Sequence, residues 1–102
     1  MKTIQVGPYK YRIVANDRVL ALDSLAGRCD PNRLEIHLDR NTAPGVQRET
    51  LLHELIHAVM DLAGLSQELA DEAEEMYVRR ISPVLLDVLR RNPKLVQFLT
   101  VE

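Results

Sequence analysis

The chain has little cysteine, few aromatic residues and no tryptophan. Among its 102 residues there is one cysteine, Cys29, and 4% of the residues are aromatic. A single cysteine excludes an internal disulfide and is typical of a reducing compartment. Because 46% of the residues are nevertheless apolar, we expect one domain spanning residues 1–102, with a core built mainly from Leu, Val, Ile and Ala.

Strong charge and long apolar runs are also absent. The formal net charge is −2, which gives no electrostatic basis for binding nucleic acid or an anionic membrane. No apolar run approaches the roughly 20 residues that span a bilayer, and residues 1–8 lack the apolar segment of a signal peptide. The sequence therefore predicts a cytoplasmic protein with no nucleic-acid or membrane partner.

The first 40 residues mainly show the alternation typical of strands. Apolar and polar residues alternate over 3–14, interrupted at Gly7-Pro8, which predicts two short strands. Residues 18–26 are ambiguous between a helical turn and a strand. Residues 26–29 and 34–38 flank a strong turn signal and should form a hairpin. We expect a small antiparallel sheet of three or four strands.

Residues 44–102 read as helical. Thr42 can cap a first helix with Pro44 in its first turn, and Gly64 ends that helix. Ser66 is expected to cap a second, antiparallel helix that stops by Ser82, before a proline.

Two further prolines of the same kind predict two short C-terminal helices. Ser82-Pro83 and Asn92-Pro93 each place a cap residue before a proline at the first helical position, so helices are expected over 84–91 and 94–101. The whole prediction is an α+β domain, mainly β over 1–40 and helical over 44–102.

The most informative segment of the chain lies on the first helix. His53 and His57 stand four residues apart, so both imidazoles project from one side of a helix, and Glu54 follows the first directly. This is the H-E-x-x-H pattern, in which two histidines bind zinc and the glutamate acts on the attacking water. A surface helix also has a polar side, so the alternative interpretation is that the two histidines are exposed there and bind nothing.

A catalytic zinc site needs a third protein ligand. The extended three-histidine pattern is absent, since Met60 and Ala63 occupy its glycine and third histidine positions. The antiparallel second helix brings residue 74 level with His57. Glu74 also lies among apolar positions of that helix, where an unpaired carboxylate is costly. Glu74 is therefore the predicted third ligand, with Glu75 as the alternative.

Other polar residues have weaker predicted roles. Asp61 lies one turn after His57 and could either orient an imidazole or be exposed to solvent. His37 and Tyr77 are candidate donors to an oxyanion, although an exposed histidine is the simpler interpretation of His37. Cys29 is expected to be a small buried residue and not a metal ligand.

The segments 53–61, 74–83 and 88–93 resemble known metallopeptidases. The pattern is similar to zincins of the Glu-ligand type (gluzincins). It is more closely similar to small phage- or prophage-encoded metallopeptidases that are distantly related to ImmA/IrrE-like proteins, although this chain is shorter than those proteins. The resemblance implies zinc ligands at His53, His57 and Glu74 and a general base at Glu54. It also implies that strand 34–38 edges a cleft where an extended peptide pairs.

The resulting functional prediction is a zinc-dependent metallopeptidase acting on a peptide or protein substrate. Two alternatives are a zinc-binding phage regulatory or assembly protein without turnover, and a helical interaction module without metal. Since one small domain provides one wall of a substrate cleft, a second copy of the chain, or a phage or host protein, could provide the other.

Overall fold

The computed structural model describes residues 1–16 and 26–102, and in these residues four strands precede three α-helices. The strands are β1 (Thr3–Val6), β2 (Tyr9–Asn16), β3 (Gly27–Asp30) and β4 (Glu35–Asp39). The helices are α1 (Pro44–Leu62), α2 (Asp71–Arg91) and α3 (Pro93–Thr100), with a single 3-10 turn at Leu65–Gln67. The predicted α+β class is confirmed. The ambiguous segment 18–26 lies, apart from Ala26, outside the described residues.

The four strands form one mixed sheet in the order β1-β2-β4-β3. Both expected hairpins are present and antiparallel, β1 with β2 and β3 with β4. The two hairpins join through β2 and β4, which run parallel, with Ile13 opposite Ile36. The prediction of a purely antiparallel sheet is therefore wrong, because alternation identifies strands but does not tell which strand edges meet.

One face of this sheet packs against α1. The buried core consists of alternate strand residues and one helix residue, namely Val6, Tyr11, Ile36, Leu38 and Ala58. Ile36 on the central strand β4 is completely inaccessible. Burial of a side chain of this size contributes about 1.5–3 kcal/mol. The core therefore fixes α1 against the sheet.

The ends of α1 agree in part with the sequence. Pro44 lies in the first turn and Gly64, with φ 83°, follows the last residues, both as expected. Thr42 does not cap the helix, however, because its hydroxyl donates to the carbonyl oxygen of Asp39 at 2.9 Å. The residue at the N-cap position, Ala43, has no side-chain acceptor.

The helix α2 differs from the prediction at both ends. It begins at Asp71 and not at Ser66, which lies in the 3-10 turn. It also continues through Pro83 to Arg91, so the expected break at Ser82 and the separate helix over 84–91 are wrong. Proline removes one helical hydrogen bond, but the apolar residues keep their helical spacing on both sides of it. A proline disfavours a helix at this point but does not prevent it, so the helix continues although the residues after Pro83 are not buried.

The second half of α2 and the whole of α3 are sparsely packed. In α2 the buried residues are Val78 and Ser82, and α3 has none. Several large apolar side chains are exposed there, including Val84, Phe98 and Leu99. No helix among the described residues has both the length and the apolar character needed to cross a membrane.

Candidate metal centre

A cleft of about 680 Å³ lies where α1, β3 and the first half of α2 meet. Its walls carry most of the residues that the sequence marks as chemically important. From β3 comes Arg28, from α1 come His53, Glu54, His57 and Asp61, and from α2 come Glu74, Glu75 and Arg79. The sheet core fixes the first wall and the antiparallel helix provides the second.

Three side chains converge inside this cleft. His53 Nε2 lies 3.0 Å from Glu75 Oε1, and His57 Nε2 lies 2.9 Å from Glu75 Oε2. The two imidazole centroids are 5.0 Å apart, and one ligand atom from each of the three residues lies within 4.8 Å of the others. Two nitrogens and one carboxylate oxygen at this spacing could hold one metal ion.

Glu74 lies on the other side of the His57 ring. Its Oε2 is 2.5 Å from His57 Nδ1, while its Oε1 accepts a hydrogen bond from the Ser66 hydroxyl at 2.5 Å. Burial raises the pKa of Glu74, but the hydrogen bonds from Ser66 and His57 outweigh burial and hold that pKa below its ordinary value. A carboxylate on the nitrogen remote from a metal fixes the ring orientation and raises its basicity.

The two glutamates contact different nitrogen atoms of the histidines. Register predicted correctly that residue 74 lies level with His57. Glu75, the alternative, is the carboxylate that faces both Nε2 atoms, whereas the predicted ligand Glu74 contacts only Nδ1 of His57. The sequence allowed Asp61 to orient an imidazole ring. The contacts of Glu74 with His57 fit that role instead.

Glu54 points from α1 toward β3. It is only 7% exposed, and its carboxylate accepts a hydrogen bond from the backbone N–H of Cys29. Because burial disfavours the charged form, the pKa of Glu54 is raised from 4.5 to about 7. A carboxyl group with this pKa can exchange a proton near neutral pH.

The close approach of α1 to β3 requires a glycine. A Cβ atom on Gly27 would lie 2.4 Å from Thr50 Cγ2, 3.0 Å from the carbonyl oxygen of His37 and 3.3 Å from Glu54 Cγ. A larger residue would therefore force the Thr50 side chain or the helix to shift. Gly27 therefore sets the distance at which Glu54 reaches the backbone of Cys29.

Burial also shifts two other titratable groups at the cleft. It lowers the pKa of His53, which favours the neutral imidazole that metals bind. Burial raises the pKa of Cys29 from 9.0 to about 12, so its thiol stays protonated at neutral pH. Cys29 is outside the group formed by His53, His57 and Glu75.

The edge of the cleft is β3 and not the strand implied by the resemblance. The strand over 34–38 corresponds to β4, which pairs with β2 on one side and β3 on the other. Its backbone groups are thus already used, and a peptide cannot pair with it. That expectation is wrong, because β4 lies inside the described sheet and its hairpin partner β3 lies at the edge.

Three residues that shape the cleft were not recognised from the sequence. The hydroxyl of Ser66 was interpreted as a helix cap, and the small size of Gly27 carried no distinguishing pattern. Arg28 lines the cleft with a buried Nε atom that has no hydrogen-bond partner among the described residues. By contrast, neither candidate oxyanion donor, His37 or Tyr77, lines the cleft.

Comparison of the chain with protein-family models, curated proteins and solved structures found no match. Interpretation of the site therefore depends on its own geometry and chemistry.

Proposed function

We propose that this protein is a zinc-dependent metallopeptidase. The observation that carries the proposal is the convergence of His53, His57 and Glu75 beside the buried carboxyl group of Glu54 in one open cleft. Catalytic zinc sites use three nitrogen or oxygen ligands from the protein and keep one position open. The donor set of this cleft fits that requirement.

The residues of the chain then have separable roles. His53, His57 and Glu75 would hold the zinc, and Glu74 would orient the His57 ring through Nδ1. When bound, zinc supplies polarisation of a water molecule and of the scissile carbonyl group.

Glu54 is the proposed general base. Its carboxylate would take the proton of the attacking water and then donate it to the leaving amine. A pKa of about 7 supports both steps near neutral pH, because the group can accept and release a proton with little energetic cost.

The outer edge of β3, which pairs with no other strand among residues 1–16 and 26–102, is the proposed position for an extended peptide. Asp39 N–H donates to Ala26 C=O at 2.9 Å, so Ala26 and Arg28 direct their backbone groups toward β4. Gly27 and Cys29 alternate with them and direct theirs away from β4. Because the Cys29 N–H already donates to Glu54, the Gly27 N–H and the carbonyl groups of both residues would pair with the peptide. Backbone pairing of a substrate strand with such an edge is a common mode of peptide recognition.

The proposal is tested by measuring bound zinc and peptide cleavage in three variants. His53→Ala should lose both zinc and cleavage. Glu54→Gln should keep zinc and lose cleavage by at least about a hundredfold, as expected for loss of a general base. Glu49→Gln is the matched control, because Glu49 is an exposed residue at the same cleft, and it should leave both properties unchanged.

Two results would contradict the assignment. Unchanged cleavage in Glu54→Gln would remove Glu54 from the mechanism. Stoichiometric zinc without hydrolysis of a diverse peptide library would favour the zinc-binding protein without turnover.

A further inference from the structure

The helix α2 carries an exposed apolar stripe between Tyr77 and Val88. The stripe consists of Tyr77, Ile81, Val84, Leu85 and Val88, whose exposed fractions range from 37% to 64%. At 100° per residue these five positions fall within an arc of about 100°. Four of them, from Ile81 onward, line a shallow groove together with Arg80. A contiguous exposed apolar patch of this kind often marks an interaction surface.

The stripe is separate from the candidate metal centre. Three of the α2 residues that line the cleft, Glu75, Arg79 and Ser82, lie roughly 140° around the helix from the centre of the stripe. Glu74 lies on the same side as the stripe but about one turn before its first residue, Tyr77. A partner on the stripe would therefore leave the cleft open.

We propose that the stripe binds the same stripe of a second copy of this chain, with the two α2 helices antiparallel. At ordinary residue areas, the five side chains expose roughly 450 Å² of mainly apolar surface. A stable interface of standard size covers about 800 Å² on each partner, a little over half of it apolar. The stripe thus provides the apolar area that one side of such a dimer needs.

Charges beside the stripe favour this partner and this direction. Arg80 and Asp87 lie on one flank, two turns apart, on either side of the centre of the stripe near residue 83. A two-fold axis at that centre places Arg80 of each copy beside the partner's Asp87. A parallel pair would instead place Arg80 and Asp87 on the opposite side of the interface from their equivalents in the partner, so these charges would not meet.

Both charged groups are available for this contact. Arg80 is exposed and makes no ion pair with a described residue. Among the residues that the structure describes, Asp87 pairs with Arg91 alone, on its own helix, at 2.9 Å, and both side chains are more than half exposed. Since exposed pairs of this kind contribute little, exchanging that contact for one across the dimer has a small cost.

Sedimentation equilibrium of the metal-free protein tests the association. Wild type should form a dimer at micromolar concentrations, and Val84→Glu should weaken it at least about a hundredfold, because each copy would bury an unpaired charge. Val46→Glu is the matched control, since Val46 is a 42% exposed valine on α1, and it should dimerise like wild type. A wild-type protein that stays monomeric at about 100 μM would overturn the proposal, as would equal dissociation constants for the two variants.

A charge exchange tests the antiparallel direction. Arg80→Glu and Asp87→Arg alone should each weaken the dimer about three- to tenfold, because symmetry repeats the repulsive contact twice. The double variant should return to within about twofold of wild type. Additive weakening in the double variant would overturn the antiparallel arrangement. Zinc content should be unchanged in all variants, so this test is independent of the proposed catalytic function.

Discussion

The sheet with α1 and the distal helices differ in how they are held in place. The first unit buries Val6, Tyr11, Ile36, Leu38 and Ala58 around one core. From Pro83 to the end of α3 no described residue is buried. Both regions have a similar share of apolar side chains, but only the first has a second layer to pack against.

The candidate metal centre lies at the boundary between these regions. Its histidines belong to α1, which the sheet core fixes, whereas Glu74 and Glu75 belong to the first turns of α2, close to the buried Val78. The imidazoles are thus positioned by the core and the carboxylates by the contact between two helices. Stability and metal affinity should therefore respond to different substitutions.

The largest expected effect tests the difference in packing. Ile36→Ala should lower the free energy of unfolding by about 4 kcal/mol, because it leaves a cavity in a fully buried site. Phe98→Ala, at a position 78% exposed, should change it by less than about 0.5 kcal/mol. Urea denaturation of the metal-free protein measures both, and similar losses in the two variants would contradict the difference between the regions.

The next effect distinguishes the two carboxylates of α2. Glu75→Gln should reduce zinc affinity by at least about a hundredfold, since it removes the oxygens that face both imidazoles. Glu74→Gln should reduce it about tenfold, in the range seen when an orienting carboxylate is lost. Competition with a zinc chelator gives both affinities. A larger loss in Glu74→Gln would make Glu74 the ligand, as the sequence alone suggested.

A smaller effect concerns the buried carboxyl group of α1. The folded-state pKa of Glu54 is raised from 4.5 to about 7, so its stabilising effect in the protonated form is complete below pH 4.5 and is lost as the pH rises through 7. In the metal-free protein Glu54→Gln should therefore be more stable than wild type at pH 8, by about 2–3 kcal/mol. The difference should disappear near pH 4.5. A constant difference across that range would show that burial does not control this group.

The sequence predicts those features that depend on local spacing. Alternation over 3–14 and 34–38 identified the strands there, and the helical register identified the contact between His57 and residue 74. Both follow from the geometry of a single element or of one tight turn. For the same reason Gly64 correctly marked the end of α1.

The features that could not be predicted depend on how elements meet. Nothing in the alternation indicates that β2 and β4 would be neighbours and parallel. Adjacent residues on a helix point about 100° apart, so the choice between Glu74 and Glu75 depends on the rotation of α2 about its axis. Continuation of α2 through Pro83 was not predicted, because the local rule for proline states a preference against helix and not a prohibition.

Gly27, which lines the cleft between β3 and α1, has a consequence for how this chain can vary during evolution. Gly45 has open space around its Cα, so mutation can replace it without disturbing a neighbour. Gly27 has no such open space, because even one methyl group would meet the side chain of Thr50. In homologous sequences we therefore expect position 27 to stay glycine while position 45 drifts, and this contrast would identify distant relatives even where the pattern of the strands has been lost.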